Sequence, residues 1–136
     1  MKSKAEKTAI ALHEKDYNCT QSVLTACGEY TGLDDSAAFA IAAGFGRGVC
    51  NGEICGAISG AVMAVGLAYA GADPTDKDAK KKVYSLTRKC TNAAKRRYGC
   101  IRCAELKAKE VSCKEMIGFM AKTAEKILIE KDKENQ

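Results

Sequence analysis

The sequence predicts an all-α fold, a single compact bundle of about five or six helices around one central helix rich in glycine and alanine. Apolar residues recur at spacings of three and four, and almost nowhere do they alternate with period two. β-Branched residues do not cluster, as they would in strands. The 136 residues fit one domain, since domains commonly have roughly 100–200 residues. We therefore expect one helical domain over residues 1–136.

Three helices are predicted before a glycine-rich stretch at residues 44–52. They span residues 4–15, 18–30 and 34–43. Gly32 is placed to end the second helix in a left-handed conformation, which glycine adopts without steric cost. Asp34 or Asp35 can accept backbone N–H groups and so begin the third. The glycine-rich stretch is predicted to be irregular, because it lacks the order of a phosphate-binding loop and follows a helix.

The central helix is predicted at residues 55–70, within an uncharged run over residues 54–72. A ridge of small side chains recurs at every fourth residue along it: Gly56, Gly60, Ala64 and Ala68. Such a ridge lets a second helix approach closely. The run is almost long enough to cross a bilayer, but its glycine and alanine content favours a buried helix over a membrane span.

Two long helices and one short helical turn complete the prediction. They span residues 74–97, 103–106 and 112–130. Pro74 suits the first turn of the first of these, because proline lacks an N–H group that would be unpaired there. The inward side of the last helix is expected to carry Met116, Phe119, Met120, Thr123 and Ile127. Residues 131–136 are expected to fray.

The formal charge of +5 is concentrated in one part of the chain. Residues 76–110 contain twelve Lys or Arg and four Asp or Glu. Such a patch attracts an anionic surface or an acidic protein, and it can also be a plain solvated helix face. Nucleic acid is disfavoured as a partner, because no nucleic-acid motif or aromatic interleaving accompanies the charge.

The first residues lack the apolar core, roughly 7–15 residues long, of a signal peptide. We therefore expect a cytoplasmic protein. Thiols are mostly reduced in that compartment, so eight cysteines indicate metal binding or catalysis more than a disulfide framework.

The eight cysteines cannot all meet at one centre. Cys19 and Cys27 would lie about 12 Å apart along one helix. Cys27 and Cys90 lie in ordinary helical sequence and are predicted to be buried in the core. Cys55 is predicted at a helix N-terminus, where the dipole and free N–H groups favour a thiolate or an anionic centre. Gly56 directly after it leaves the backbone open to such a centre.

Local spacing also pairs other cysteines. Cys100 and Cys103 form a CxxC pair, and Cys50 lies close to Cys55 in the chain. No βαβ pattern surrounds the CxxC pair, which disfavours a thioredoxin-like site.

The single histidine, His13, lies among charged residues and is expected on the solvated surface. With one histidine available, an all-thiolate site is the metal site that the composition allows.

Several segments together form a recognisable pattern. They are residues 18–23, 44–46, 55–61, 66–67 and 103–106, with Met63 and Cys113. This pattern resembles a family of redox-active proteins named for the cysteine order C, GCAxxG, C, C; here the central motif begins Cys55-Gly56-Ala57. The resemblance implies that the family cysteines are Cys19, Cys55, Cys103 and Cys113, and that the protein is one often suspected of holding an iron–sulfur cluster.

The leading hypothesis is a redox protein that holds a cysteine-ligated [2Fe–2S] or [4Fe–4S] cluster, or reactive thiols, and acts as an electron carrier or redox accessory protein. Cys50 and Cys100 are substitute ligands, because this chain has four cysteines beyond the family pattern. One alternative is a structural four-thiolate zinc domain that binds a partner through its basic surface. Another is a cofactor-free thiol oxidoreductase using Cys100 and Cys103.

The expected partner of a redox protein with this charge is an acidic redox protein or oxidoreductase. The sequence leaves open the oligomeric state, including a homodimer. It also leaves open whether the protein is an enzyme, because no acid–base constellation is visible.

Overall fold

The computed structural model describes residues 1–134, and within that range it contains eight α-helices and no β-strand. The helices are α1 Lys4–Glu14, α2 Cys19–Ala26, α3 Gly28–Thr31, α4 Asp35–Ala42, α5 Gly56–Tyr69, α6 Lys77–Tyr98, α7 Cys103–Ala108 and α8 Cys113–Glu134. A 3₁₀ turn, Ala43–Phe45, and a distorted turn, Gly48–Gly52, join α4 to α5. The all-α prediction is confirmed, with six helices of eight or more residues and two shorter ones.

The predicted second helix is in fact two helices. At Cys27 the ψ angle is −1°, against about −42° in a regular α-helix, so α2 ends there and α3 begins at Gly28. Gly32 ends α3 with φ 75°, the left-handed stop that the sequence predicts. The apolar periodicity does not reveal the break, because Leu24 and Cys27 before it and Tyr30 after it all pack against the core.

The start of α6 also differs from the prediction. It begins at Lys77 rather than near Pro74, because the Asp73 carboxylate accepts hydrogen bonds from the backbone N–H and the hydroxyl of Thr75 and holds a turn there. Asp76 then caps the helix by accepting the N–H of Ala79 at 3.0 Å. Local polar side chains therefore set this boundary three residues later than proline alone indicates.

The last helix is longer than predicted. α8 continues through Glu134, so residues 131–134, which were expected to fray, are helical. Lys131 and Lys133 lie in its last turn, where cations interact favourably with the helix dipole. Residues 135–136 of the predicted frayed tail lie outside the described residues.

Helices α2 and α5 lie at the centre of the bundle. All eight residues of α2 are buried, and this helix contacts α1, α4, α5 and α8. α5 contacts α2, α3, α6 and α8, but it also exposes Leu67 to solvent. The glycine- and alanine-rich central helix is confirmed, and α2 shares its position. None of the helices in residues 1–134 combines the length and the apolar composition of a membrane span.

The small-residue ridge of α5 packs against α2 at backbone contact. A Cβ atom at Gly60 would lie 2.9 Å from the Thr20 carbonyl oxygen and 3.0 Å from the Val23 Cβ. One turn earlier, the Thr20 hydroxyl donates a 2.8 Å hydrogen bond to the Gly56 carbonyl oxygen. The two helices therefore approach more closely than any side chain on these glycines would allow.

The inward face of α8 is rotated slightly from the prediction. Met116, Met120 and Ile127 are buried as expected. Phe119 and Thr123 are only partly buried, because they lie towards α6, where the Phe119 ring makes an edge-to-face contact with the ring of Tyr98 at 5.5 Å.

A buried carboxylate joins α8 to the start of α1. Glu125 accepts hydrogen bonds from the backbone N–H of Ala5 at 3.1 Å and from the Tyr30 hydroxyl at 2.8 Å. Burial acts to raise the pKa of Glu125, but the groups of Ser3, Tyr30 and Ala5 outweigh it and hold that pKa below its usual range. The carboxylate therefore satisfies a free N–H group of the first turn of α1.

Replacing Gly60 with leucine should destabilise the fold by about 1–3 kcal/mol or more, because the new side chain would force α5 away from α2. The matched control is Gly66→Ala in the same helix, where a Cβ atom meets nothing within 4 Å. That change should be neutral or stabilising by about 0.5–1 kcal/mol. Urea denaturation measures both, and equal stability of the two variants would contradict the close approach.

Replacing Glu125 with glutamine should lower the free energy of unfolding at pH 7 by about 1–3 kcal/mol, since a charged hydrogen-bond acceptor is lost from a buried position. A carboxyl whose pKa is lower in the folded than in the unfolded protein stabilises the fold fully at a pH above its unfolded-state pKa of about 4.3. This stabilisation is lost as the pH falls through the folded-state pKa. The variant should therefore show a weaker loss of stability below about pH 4.3 than the wild type. Glu130→Gln is the control, because its ion pair with Lys133 is 65–68% exposed. Denaturation curves at pH 7 and in acid make the comparison, and an identical acid dependence in all three proteins would contradict it.

Candidate functional site

Four cysteines from distant parts of the chain line a single cavity of about 300 Å³. They are Cys19, Cys55, Cys103 and Cys113. The first three are buried, whereas Cys113 is exposed. Three of the thiols therefore lie at the buried side of an open cavity, and Cys113 lies at its solvent-exposed side.

Each of these cysteines lies at the start of a helix. Cys19, Cys103 and Cys113 are the first residues of α2, α7 and α8, and Cys55 immediately precedes α5. The first turn of a helix has unpaired N–H groups and the positive end of the helix dipole. Four helix starts around one cavity favour negative charge inside it.

A reciprocal cap fixes the position of Cys19. The Asn18 side chain accepts the N–H of Gln21, and the Gln21 side chain accepts the N–H of Asn18, both at 2.9 Å. The amide of Gln21 also donates to the Phe39 carbonyl oxygen in α4 at 3.1 Å. The start of α2, and with it Cys19, is therefore held both by its own cap and by a neighbouring helix.

Backbone pairing brings Cys55 and Cys103 to the same place. The N–H of Cys55 donates to the Ile101 carbonyl oxygen at 2.9 Å, and the N–H of Cys103 donates to the Glu53 carbonyl oxygen at 2.7 Å. The side chains of Glu53 and Arg102 form an exposed ion pair at 2.9 Å beside this short antiparallel contact. Two segments nearly fifty residues apart are thus joined directly at the two cysteines.

Cys113 is positioned by the cap of α8. The Ser112 hydroxyl oxygen accepts the N–H of Glu115 at 3.1 Å, and the Ser112 carbonyl oxygen accepts the N–H of Met116 at 3.1 Å. This cap starts the helix at Cys113.

Gly56 is required by the geometry of the site. A Cβ atom there would overlap Sγ of Cys19 and would lie 2.5 Å from the Thr20 hydroxyl oxygen and 3.0 Å from the Phe45 carbonyl oxygen. Only glycine leaves room for the Cys19 thiol beside the start of α5, so Gly56 allows Cys19 to reach its position.

The glycine-rich stretch is irregular, as predicted, and it contributes a cation to the cavity. Residues 47–50 all have positive φ angles between 56° and 64°, although Arg47, Val49 and Cys50 are not glycine. Such conformations cost non-glycine residues about 1–2 kcal/mol each. This turn places Arg47 on the cavity wall, whereas Cys50 is exposed and lies outside the residues that line the cavity.

The remaining cysteines lie elsewhere. Cys27 and Cys90 are fully buried in the core, as predicted. Cys100 is buried as well, with its sulfur 3.9 Å from the Tyr98 carbonyl oxygen, and it does not line the cavity. Neither Cys50 nor Cys100, the substitute ligands that local spacing indicated, is therefore brought to the four-cysteine cavity.

Burial favours the protonated form of two thiols of the site, Cys55 and Cys113. It raises the pKa of Cys55 to about 12; the N–H group of Ala57 opposes this rise, and the neighbouring Cys19 and Cys103 add to it. Burial is also the main cause of the raised pKa of Cys113.

Two cations on the cavity wall act against this effect. Arg47 and Lys107 both line the cavity, and both lower the pKa of Cys113. A thiolate or another anion inside the cavity would gain from the same two charges.

His13 lines the cavity, which the sequence did not predict. His13 is half-buried there rather than fully solvated. Its Nδ1 lies 3.2 Å from the Tyr17 carbonyl oxygen. Because a carbonyl can only accept, this contact is a hydrogen bond when Nδ1 carries a proton. The only indication of this placement in the sequence is that His13 lies six residues before Cys19.

The four thiols surround a volume rather than a single point. Among residues 1–134, no three His, Cys, Asp or Glu side chains are grouped so that they could hold one metal ion. Thiols around a cavity of this size can contact a multi-atom centre or can react with one another and with a molecule that enters at Cys113.

Comparisons with known proteins identify the family. No curated protein and no solved structure matches the chain. One family model matches residues 17–127, a range that includes all four cysteines of the cavity, and it is described as "Putative redox-active protein (C_GCAxxG_C_C)". The chain therefore belongs to the C_GCAxxG_C_C family of redox-active proteins.

Proposed function

We propose that Cys19, Cys55, Cys103 and Cys113 together hold an iron–sulfur cluster, and that the protein is an electron carrier or a redox accessory protein. The observation that carries the proposal is the meeting of these four thiols, and of no other cysteine of the chain, around one cavity. Four thiolates are the usual ligand set of [2Fe–2S] and [4Fe–4S] clusters. Such a cluster, when bound, supplies one-electron transfer.

The charge of the cavity supports an anionic centre. Cluster ligands are thiolates, so ligation replaces four neutral thiols with negative charge in a largely buried space. The helix starts at Cys19, Cys55 and Cys113 place positive dipole ends there. The N–H groups of Ala57 and Ile58 also favour a thiolate at Cys55. Arg47 and Lys107 add two full positive charges to the wall, against one carboxylate, that of Asp16. These groups offset the cost of burying the charge.

The exposure of the four ligands differs in a way that suits electron exchange. Cys19, Cys55 and Cys103 are buried, so they would shield the centre from solvent, and Cys113 is exposed. A redox partner would therefore reach the centre most closely on the side of Cys113. Gly56 contributes by leaving space beside Cys19.

The same cysteines define the two competing functions. A structural zinc site would use the same four thiolates but would hold one ion without redox chemistry. A cofactor-free oxidoreductase would form and break a disulfide, and Cys103 with another cavity thiol would then replace the Cys100–Cys103 pair, since Cys100 lies outside the cavity.

Metal and sulfide analysis of anaerobically purified protein tests the proposal. We expect iron and acid-labile sulfide together with visible absorption that bleaches on reduction. Colourless protein with stoichiometric zinc would contradict the proposal in favour of the structural site. Metal-free protein in which two thiols titrate as a reversible disulfide would contradict it in favour of thiol chemistry.

Replacing Cys55 with serine should abolish or strongly weaken cluster binding, because one of four thiolates is lost. Cys27→Ser is the matched control: that thiol is fully buried in the core and outside the cavity. The control should keep the cluster and lose about 1–3 kcal/mol of stability, the cost of an unpaired buried hydroxyl. Iron content and visible absorption of the two purified variants make the measurement, and equal cofactor content would show that Cys55 is not a ligand.

We propose further that the electron partner is an acidic redox protein or oxidoreductase. The basic surface on α6 and α7, within residues 76–110, adjoins the cavity through Cys103 and Lys107. Long-range attraction raises the encounter rate between oppositely charged proteins and is screened beyond about 8 Å at physiological salt.

Charge reversal at Lys95 and Arg96 should slow reduction of the protein by such a partner, and added salt should slow the wild type in the same way. Both residues are exposed, so their replacement leaves the core intact. Stopped-flow reduction rates at several salt concentrations are the measurement. Rates that ignore both salt and the substitutions would show that the patch is only a solvated helix face.

A further inference from the structure

A second cavity has a volume of about 460 Å³. It lies between residues 2–10, the end of α6 and residues 112–126. It shares no lining residue with the cysteine cavity. Five cations line it: Lys2, Arg97, Lys114, Lys122 and Lys126. Only two carboxylates, those of Glu6 and Glu115, line it as well. The cavity therefore has a clear excess of positive charge.

The five cations are free of ion pairs. Within residues 1–134, the ion pairs closer than 4 Å are Lys4–Glu29, Arg102–Glu53 and Lys133–Glu130, and none involves a cation of this cavity. The Glu6 carboxylate is partly engaged, since it accepts the N–H of Ser3 at 3.4 Å in the cap of α1. The positive charges of these five side chains are therefore available to a ligand or to solvent.

Arg97 is held in place by aromatic side chains. Its guanidinium lies 5.6 Å from the centre of the Phe119 ring and 5.8 Å from that of Tyr98. Because the two rings contact each other edge to face, they form a firm support for the guanidinium. A guanidinium whose orientation is fixed in this way loses less entropy when it binds a phosphate through two N–H groups.

Two hydroxyl groups add polar donors to the cavity wall. The Tyr98 hydroxyl is buried and forms no hydrogen bond with another described residue, although Arg97 and Glu115 lie near it. The Ser112 hydroxyl oxygen accepts the N–H of Glu115, which leaves its own proton available to a ligand.

We propose that this cavity binds a small anion that carries one or more phosphate groups. Its volume lies within the range of roughly 300–1,000 Å³ that is common for ligand sites. The cations come from three parts of the chain, and Lys114, Lys122 and Lys126 follow the spacing of one helix face. A compact anion can contact groups from all three parts together, so the arrangement favours a small ligand over an extended polymer. The site does not depend on the redox function, and its failure would leave that function unaffected.

Isothermal titration of the full-length protein with inorganic pyrophosphate, at fixed ionic strength, tests the site. Arg97→Gln and Lys122→Gln should each weaken binding by about tenfold, as expected for loss of a charge-assisted contact. Lys81→Gln is the matched control, because it removes the same charge from an exposed position near the start of α6, outside this cavity and away from the residues that line it. It should change the affinity by less than about twofold, since exposed charges at a distance are screened by salt. All three positions are exposed, so melting temperatures should stay close to that of the wild type.

Several results would overturn the proposal. Absence of binding at millimolar pyrophosphate would do so directly. Equal weakening by Lys81→Gln would show that the anion responds to overall charge rather than to the cavity. Tighter binding of a short duplex DNA, with the control variant as damaging as the cavity variants, would assign the surface to nucleic acid instead.

Discussion

The backbone of α5 lies directly against α2, and the cysteine cavity depends on this close approach. Gly56 and Gly60 leave space that Cys19, Thr20 and Val23 occupy. The buried hydrogen bond from the Thr20 hydroxyl to the Gly56 carbonyl oxygen fixes the register between the two helices. Because Cys19 begins α2 and Cys55 precedes α5, the same contact that builds the centre of the bundle brings these two thiols together.

Helix starts supply both the scaffold and the electrostatics of the site. Each of the four cysteines lies where a helix begins, and at two of these helices the side-chain cap that stabilises the helix also positions the thiol. The reciprocal cap of Asn18 and Gln21 does this for Cys19, and the Ser112 cap does it for Cys113. Burial opposes ionisation of the thiols, as the raised pKa of Cys55 shows. The cations Arg47 and Lys107 and the N–H group of Ala57 act in the other direction and would favour negative charge in the cavity.

The start of α8 connects the two cavities of the molecule. Cys113 lines the cysteine cavity, whereas its neighbours Ser112 and Lys114 line the cationic cavity on the other side. Further along the same helix, Glu125 is hydrogen-bonded to the start of α1 and to Tyr30. One long helix therefore carries a thiol of the candidate redox site, three cations of the second cavity and a buried anchor of the fold.

The sequence by itself determined the all-α class, most of the helices and the small-residue ridge, because periodicity, caps and short motifs act over a few residues. The choice of the four family cysteines came from the family resemblance of these motifs. Only the tertiary structure decided that Cys50 and Cys100 lie outside the cavity and that His13 and Arg47 line it. These placements depend on how helices cross and on the backbone pairing near Cys55 and Cys103, which joins segments nearly fifty residues apart. Spacing along the chain gives no measure of such distances, since they are set by packing between helices rather than by local conformation.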